Sequence, residues 1–100
     1  MNRFRTYELA VQFYRRVSSL RIPAHLKGQL QRASSSVALN LAEGSAKPSA
    51  KERARFYRIS LGSFRESMAV LELLNIQNAE LDELNDKLAR HLYNLCKALE

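Results

Sequence analysis

Cysteine occurs once in this 100-residue sequence, tryptophan never, proline twice and glycine three times. With Cys96 alone, no intramolecular disulfide and no cysteine-built zinc site can form. Few turn residues, and no alternating apolar run bounded by them, exclude a sheet architecture and leave an all-α chain. No apolar stretch approaches spanning length. The opening MNRFRTYEL carries charge with no apolar segment behind it, so neither a membrane span nor a secretory signal is expected. A reducing cytoplasm is the expected setting.

Acidic residues are also in the minority: Lys and Arg number 16 against 10 Asp and Glu, giving a formal net charge of +6 and a pI near 9.9. That excess bears on partners rather than on fold, and nucleic acid, RNA or DNA, is the leading polyanion. An acidic membrane surface suits the sequence less well, because no segment sets a large apolar face against a fully basic one. The length supports a single domain, residues 1–100, and the 46% apolar content builds a thin core that association would extend.

Four helices can be placed. The first runs over Phe4–Arg21, with Ala10, Phe13, Val17 and Leu20 stepping by three and four along one face. Pro23 stops it, because proline disfavours helical geometry at Ile22 yet can open a new helix. The second covers Ala24–Glu43, with Gly44 where a left-handed cap is expected. Ser49 and Glu52 in SAKE have the form of a capping box that opens the third helix, Ala50–Ile76. After a short QNA turn the fourth spans Glu80–Leu99, with the stripe Leu81, Leu84, Leu88, Leu92, Leu95, Leu99 and an outward Glu83–Lys87 pair. Such lengths and short connections predict an antiparallel up-down-up-down four-helix bundle.

Two helix surfaces are unusual. On the third helix one side collects Phe56, Ile59, Ser60, Ser63, Ser67, Val70, Leu71 and Leu74, and the adjoining side Tyr57, Leu61, Phe64 and Met68. Together these span about 200°, roughly twice the stripe a bundle helix needs, which predicts self-association. On the second helix, Leu26, Leu30, Ala33, Val37 and Leu41 form a core stripe, and Gln29, Arg32, Ser36, Asn40 and Glu43 lie beside it. A solvated face would be filled by Lys, Glu and Gln, whereas Ser and Asn cost helix propensity of roughly half a kcal/mol each. Small polar residues there predict close helix approach and hydrogen bonding across a helix or subunit interface, with Gln29, Arg32, Ser36, Asn40, Glu43, Tyr57, Phe64 and Met68 as the packing residues.

Charge is unevenly spread. Residues 1–65 hold thirteen basic residues against Glu8, Glu43 and Glu52, while residues 66–100 hold three against seven acids. The densest segment is KPSAKERARFYR, where Lys51, Arg55, Arg58 and Arg65 share one outward face of the third helix, with Lys47 and Arg53 nearby. Guanidinium forks suit phosphate, so these residues, with Arg15 and Arg16 of the first helix, are the candidate nucleic-acid contacts. Contacts of this kind hold a backbone without reading sequence.

Catalytic patterns are scarce. His25 and His91 lack the Glu-x-x-His spacing of di-iron bundles, and there is no His-Glu-x-x-His helix and no phosphate-cradling glycine loop. Ser34, Ser35 and Ser36 have no histidine or lysine in helical register to activate them. His91 is expected at the core boundary, Cys96 as a small buried apolar residue, and Tyr7, Tyr14, Tyr57 and Tyr93 at core edges rather than stacked on bases. No enzyme, metal or cofactor is expected.

The stretch QLQRASSSVALNLAEGSAKPSAKERARFYRISLGSFRE, Gln29–Glu66, resembles the signature of a bacterial family of four-helix bundle proteins. The family was first met as open reading frames within intervening sequences of large-subunit ribosomal RNA genes, and it includes the accessory variability determinant proteins of diversity-generating retroelements. Gln29, Arg32, Ala33, Ser36, Asn40, Ala42, Glu43 and Gly44 carry the resemblance, followed by Phe56, Ser60, Gly62, Ser63 and Glu66. It implies a homopentamer of antiparallel bundles with a basic surface and no catalytic activity. In the retroelement branch it also implies an accessory that binds a reverse transcriptase and nucleic acid. The alternative is an adaptor of the intervening-sequence branch whose basic face docks an acidic protein.

Overall fold

Each helix ends where the chain supplies a physical stop. The structure, a computed structural model, describes residues 3–99 and places among them α1 (Arg3–Ser18), α2 (Ala24–Ser45), α3 (Ala50–Leu73) and α4 (Ala79–Ala98). Met1, Asn2 and Glu100, the last counted above among the C-terminal acids, lie outside the described residues. The helices form an all-α four-helix bundle with extents of 40 × 24 × 18 Å.

α1 closes one turn earlier than its periodicity suggests. Ser19 bonds back twice to the Arg16 carbonyl, through its amide at 3.2 Å and its hydroxyl at 2.7 Å. This tightens the turn ahead of Pro23, which is the residue preceding α2. The start of α3 follows the capping-box expectation in part: Ser49 Oγ accepts from the Glu52 amide at 3.1 Å. The Glu52 carboxylate answers by accepting from the Ser49 hydroxyl. α3 is shorter than expected and finishes in a Schellman motif, with Asn75 N–H donating to Glu72 O and Ile76 N–H to Leu71 O, both at 3.0 Å. Asn75 supplies the left-handed residue, at φ 52°. Asn78 then caps α4, its Oδ1 accepting from the Leu81 amide at 3.0 Å.

Gly44 departs from its expected role. α2 continues through it to Ser45, and no described glycine has positive φ. Its small size is what the fold uses: a Cβ at Gly44 would lie 2.8 Å from Tyr57 Cε1 and 2.9 Å from Phe56 Cβ. Glycine lets α2 and α3 approach at this point.

The core draws on all four helices. Leu9, Phe13 and Val17 of α1, Leu30, Val37 and Leu41 of α2, Tyr57, Phe64 and Val70 of α3, and Leu81, Leu88 and Leu92 of α4 are buried together. Each such side chain contributes about 1.5–3 kcal/mol of transfer free energy. The Phe13 and Phe64 rings meet across the centre, centroids 5.2 Å apart and tilted at 59°. α2 and α3 form the most extensive seam, and α4 is held between α1 and α3 by smaller ones.

That arrangement accounts for much of the broad apolar side of α3. Tyr57, Phe64 and the half-buried Met68 pack into the core of their own chain, and Ser60 and Ser67 are buried as well. α3 packs against α2 and α4, as each helix of the bundle packs against two neighbours. Ile59, on the same side, stays 42% exposed. Among the described residues no helix is long and apolar enough to cross a membrane.

Candidate nucleic-acid interface

The serines of α2 and α3 build the seam that orients the basic face. Ser60 Oγ donates to the Val37 carbonyl of the facing helix at 2.7 Å, a bond that requires two backbones in close approach. Ser36 Oγ and Ser63 Oγ are 2.7 Å apart across the same seam. Asn40 Nδ2 donates to both the carbonyl and the hydroxyl of Ser36, at 2.9 and 2.8 Å. Below them Gln29 Nε2 donates to a Glu66 carboxylate oxygen at 3.4 Å, and above them the hydroxyls of Ser45 and Tyr57 meet at 3.1 Å. The small polar residues of α2 thus serve a helix interface within the chain. Buried Ser34 instead bonds back to the Leu30 carbonyl at 2.7 Å, and Ser35 to that of Arg32 at 3.1 Å. Arg32 is exposed, and Glu43 is exposed and paired with Lys47 at 3.2 Å.

With α3 fixed by this seam, Lys51, Arg55, Arg58 and Arg65 are all exposed. At 100° per residue they occupy an arc of about 80°, and at 1.5 Å per residue they extend about 21 Å along the helix. None makes a salt bridge among the described residues. Arg55 lies over the Phe56 ring, 5.6 Å from its centroid, and Lys47 Nζ approaches the same ring at 5.2 Å, so one half-buried aromatic anchors two cations.

The other candidate contacts divide. Arg53 is half-buried and ties the α2–α3 loop, its guanidinium donating to the Lys47 and Pro48 carbonyls at 3.1 Å each. Arg15 and Arg16 do not join the α3 surface. They lie near the end of α1, which packs against α2 and α4 rather than alongside α3, and Arg16 pairs with Glu80 at the start of α4.

Antiparallel packing also gathers basic residues that counting by sequence halves hides. The bond between Thr6 and His91, 3.2 Å, places the beginning of α1 beside the end of α4. A cleft shared by Arg3, Phe4, Tyr7, Ala42 and Ser45 places it beside the end of α2 as well. Arg3, Arg5, Lys47, Lys51, Arg55, Arg90 and Lys97 therefore belong to one end of the bundle, while Glu80, Asp82, Glu83 and Asp86 begin α4 at the other. Pairing the ends of successive helices would have exposed this polarity from the sequence.

Other polar groups are absorbed by packing. Cys96 is buried. His91 is half-buried, and desolvation together with the charges of Arg5 and Arg90 holds its pKa below the ordinary 6.5. Asn85 is buried with Oδ1 lacking a hydrogen-bond partner among the described residues. It borders a cleft between α3 and α4 lined also by Met68, Leu71 and Leu81. Among the described residues no group of three His, Cys, Asp or Glu side chains could hold a metal ion.

The model of the 23S rRNA-intervening sequence protein family matches residues 4–100. No curated protein and no solved structure matches.

Proposed function

The chain belongs to the 23S rRNA-intervening sequence protein family, and on that premise we propose that it is a non-catalytic, basic homo-oligomer that holds RNA or DNA by the phosphate backbone. The observation that carries this reading is the exposed α3 stripe of Lys51, Arg55, Arg58 and Arg65, without salt-bridge partners among the described residues. Cations left unpaired on a rigid helix are ready to replace the counterions of a nucleic acid, which gives strong salt dependence and little base preference.

Self-association is supported by large apolar side chains outside the core. Phe4 is 68% exposed and Leu39 67%, and Phe4 shares with Tyr7 an open cleft of about 320 Å³ between α1 and α2. Exposed apolar side chains of this size suit a contact between copies. The assembly is a pentamer, the form the family resemblance implies, and repetition of the α3 stripe around it multiplies affinity through effective concentration. In the accessory form of this role the protein partner is a reverse transcriptase.

The test is native mass combined with titration of labelled RNA and DNA duplexes. An oligomer should bind both, and Arg55→Ala with Arg58→Ala should weaken binding at least tenfold, the scale of charged contacts worth about 1.5–3 kcal/mol each. Unchanged binding by the double variant would remove the stripe from the site. Failure of the parent protein to bind either polymer would turn the basic face into a docking site for an acidic protein.

A further inference from the structure

Gly62 lies in the middle of the basic stripe, between Arg58 and Arg65, on an exposed turn of α3. Glycine inside a helix weakens it relative to alanine, so its presence at an exposed interior position calls for a reason. The fold supplies none: a Cβ built at Gly62 meets nothing within 4 Å, and its φ is not positive. Gly44, by contrast, is demanded by Tyr57 and Phe56.

We infer that Gly62 is a binding residue, the point at which a phosphodiester backbone crosses α3; this rests on the nucleic-acid reading above. Arg58 and Arg65 stand seven residues apart, about 10 Å along the axis, and each presents a guanidinium able to donate two aligned bonds to a phosphate. A side chain at position 62 would stand between them and hold the strand off the helix. Its absence leaves a gap in the side-chain cover of α3 with Arg58 and Arg65 on either side, beside Ile59 and a Glu66 carboxylate that accepts from Gln29, and lets both arginines reach one strand. Charge selects this occupant over the same face of a second copy, which would bring two arginine stripes together at a repulsive cost.

The test compares Gly62→Ala, Gly62→Leu and the pair Arg58→Gln with Arg65→Gln. Readouts are affinity for labelled RNA and DNA duplexes, melting temperature and native mass. Both glycine variants should melt no lower than the parent and keep its mass. Gly62→Leu should bind on the order of tenfold more weakly, the scale of one lost charged hydrogen bond, with Gly62→Ala between it and the parent. Equal losses on RNA and DNA support a shared backbone contact, and a loss confined to one polymer supports the contact for that polymer. Unchanged affinity of Gly62→Leu, beside a loss in the arginine pair, would overturn the inference while leaving the proposed function intact. Unchanged affinity of the arginine pair would instead overturn the proposed function's account of this stripe. A changed mass in Gly62→Leu would place a second copy on this face and also overturn the inference.

Discussion

Gly44 and Gly62 lie on the two partners of one helix pair, and the contrast between them separates what the fold requires from what it leaves over. At Gly44 the facing helix comes within 2.8 Å of where a Cβ would stand, so the residue belongs to the α2–α3 seam with Ser36, Ser60 and Ser63. At Gly62 a Cβ would meet nothing within 4 Å, and Arg58 and Arg65 stand a turn away on either side, next to Ile59 and Glu66. One surface is finished by contacts within the chain. The other has the composition of a surface finished by something outside it.

The sharpest way to break this contrast is at the seam. Gly44→Ala forces its Cβ against Tyr57 and against Phe56 Cβ, an atom fixed to the backbone. It should destabilise the protein by about 1–3 kcal/mol, a fall in melting temperature on the order of 5–15 °C. Thermal melts in which Gly44→Ala matches the parent would show that the seam has slack and that the contrast is empty. Gly62→Ala should move stability the other way, by about 0.5–1 kcal/mol, as read by urea denaturation. A loss of stability there would mean that the fold uses Gly62 after all.

The smallest effect concerns the basic end, where Thr6, His91, Arg5 and Arg90 meet. Desolvation first, then the arginine charges, lower the His91 pKa from 6.5 in the folded state. Below that value the unfolded chain binds a proton that the folded chain resists, so this contribution is present above pH 6.5 and is lost as pH falls from there through the lowered folded value. His91→Gln should flatten that part of the stability profile. A profile of unchanged slope would assign the pH dependence to other groups.

Local signals with one physical meaning were legible in the sequence. Pro23 before α2, Ser49 at the start of α3 and the leucine stripe of α4 all act as their spacing indicates. Signals with two meanings were not. A glycine at the end of a helical pattern can supply either a left-handed cap or a close approach; Gly44 supplies the second, and Asn75 provides the left-handed residue. The breadth of apolar residues on α3 likewise fits a second copy or neighbours within the chain: Tyr57 and Phe64 go to the chain's own core, and Ile59 is left exposed. Asn85 sits in helical register between Leu81 and Leu88, so its burial could have been read from the stripe. The Lys51–Arg65 face was legible because it lies on one helix. The gathering of Arg90 and Lys97 with Lys51 and Arg55 at one end of the bundle was hidden by counting charge along the chain, and it follows once the ends of successive helices are paired.

The salt dependence of duplex binding by the unmodified protein tests the central claim most directly. Contacts from Lys51, Arg55, Arg58 and Arg65 predict that log K falls linearly with log salt, with a slope of about −0.9 for each phosphate neutralised on B-DNA and with little preference among base sequences. A slope near zero, or binding that tracks base sequence rather than salt, would contradict it.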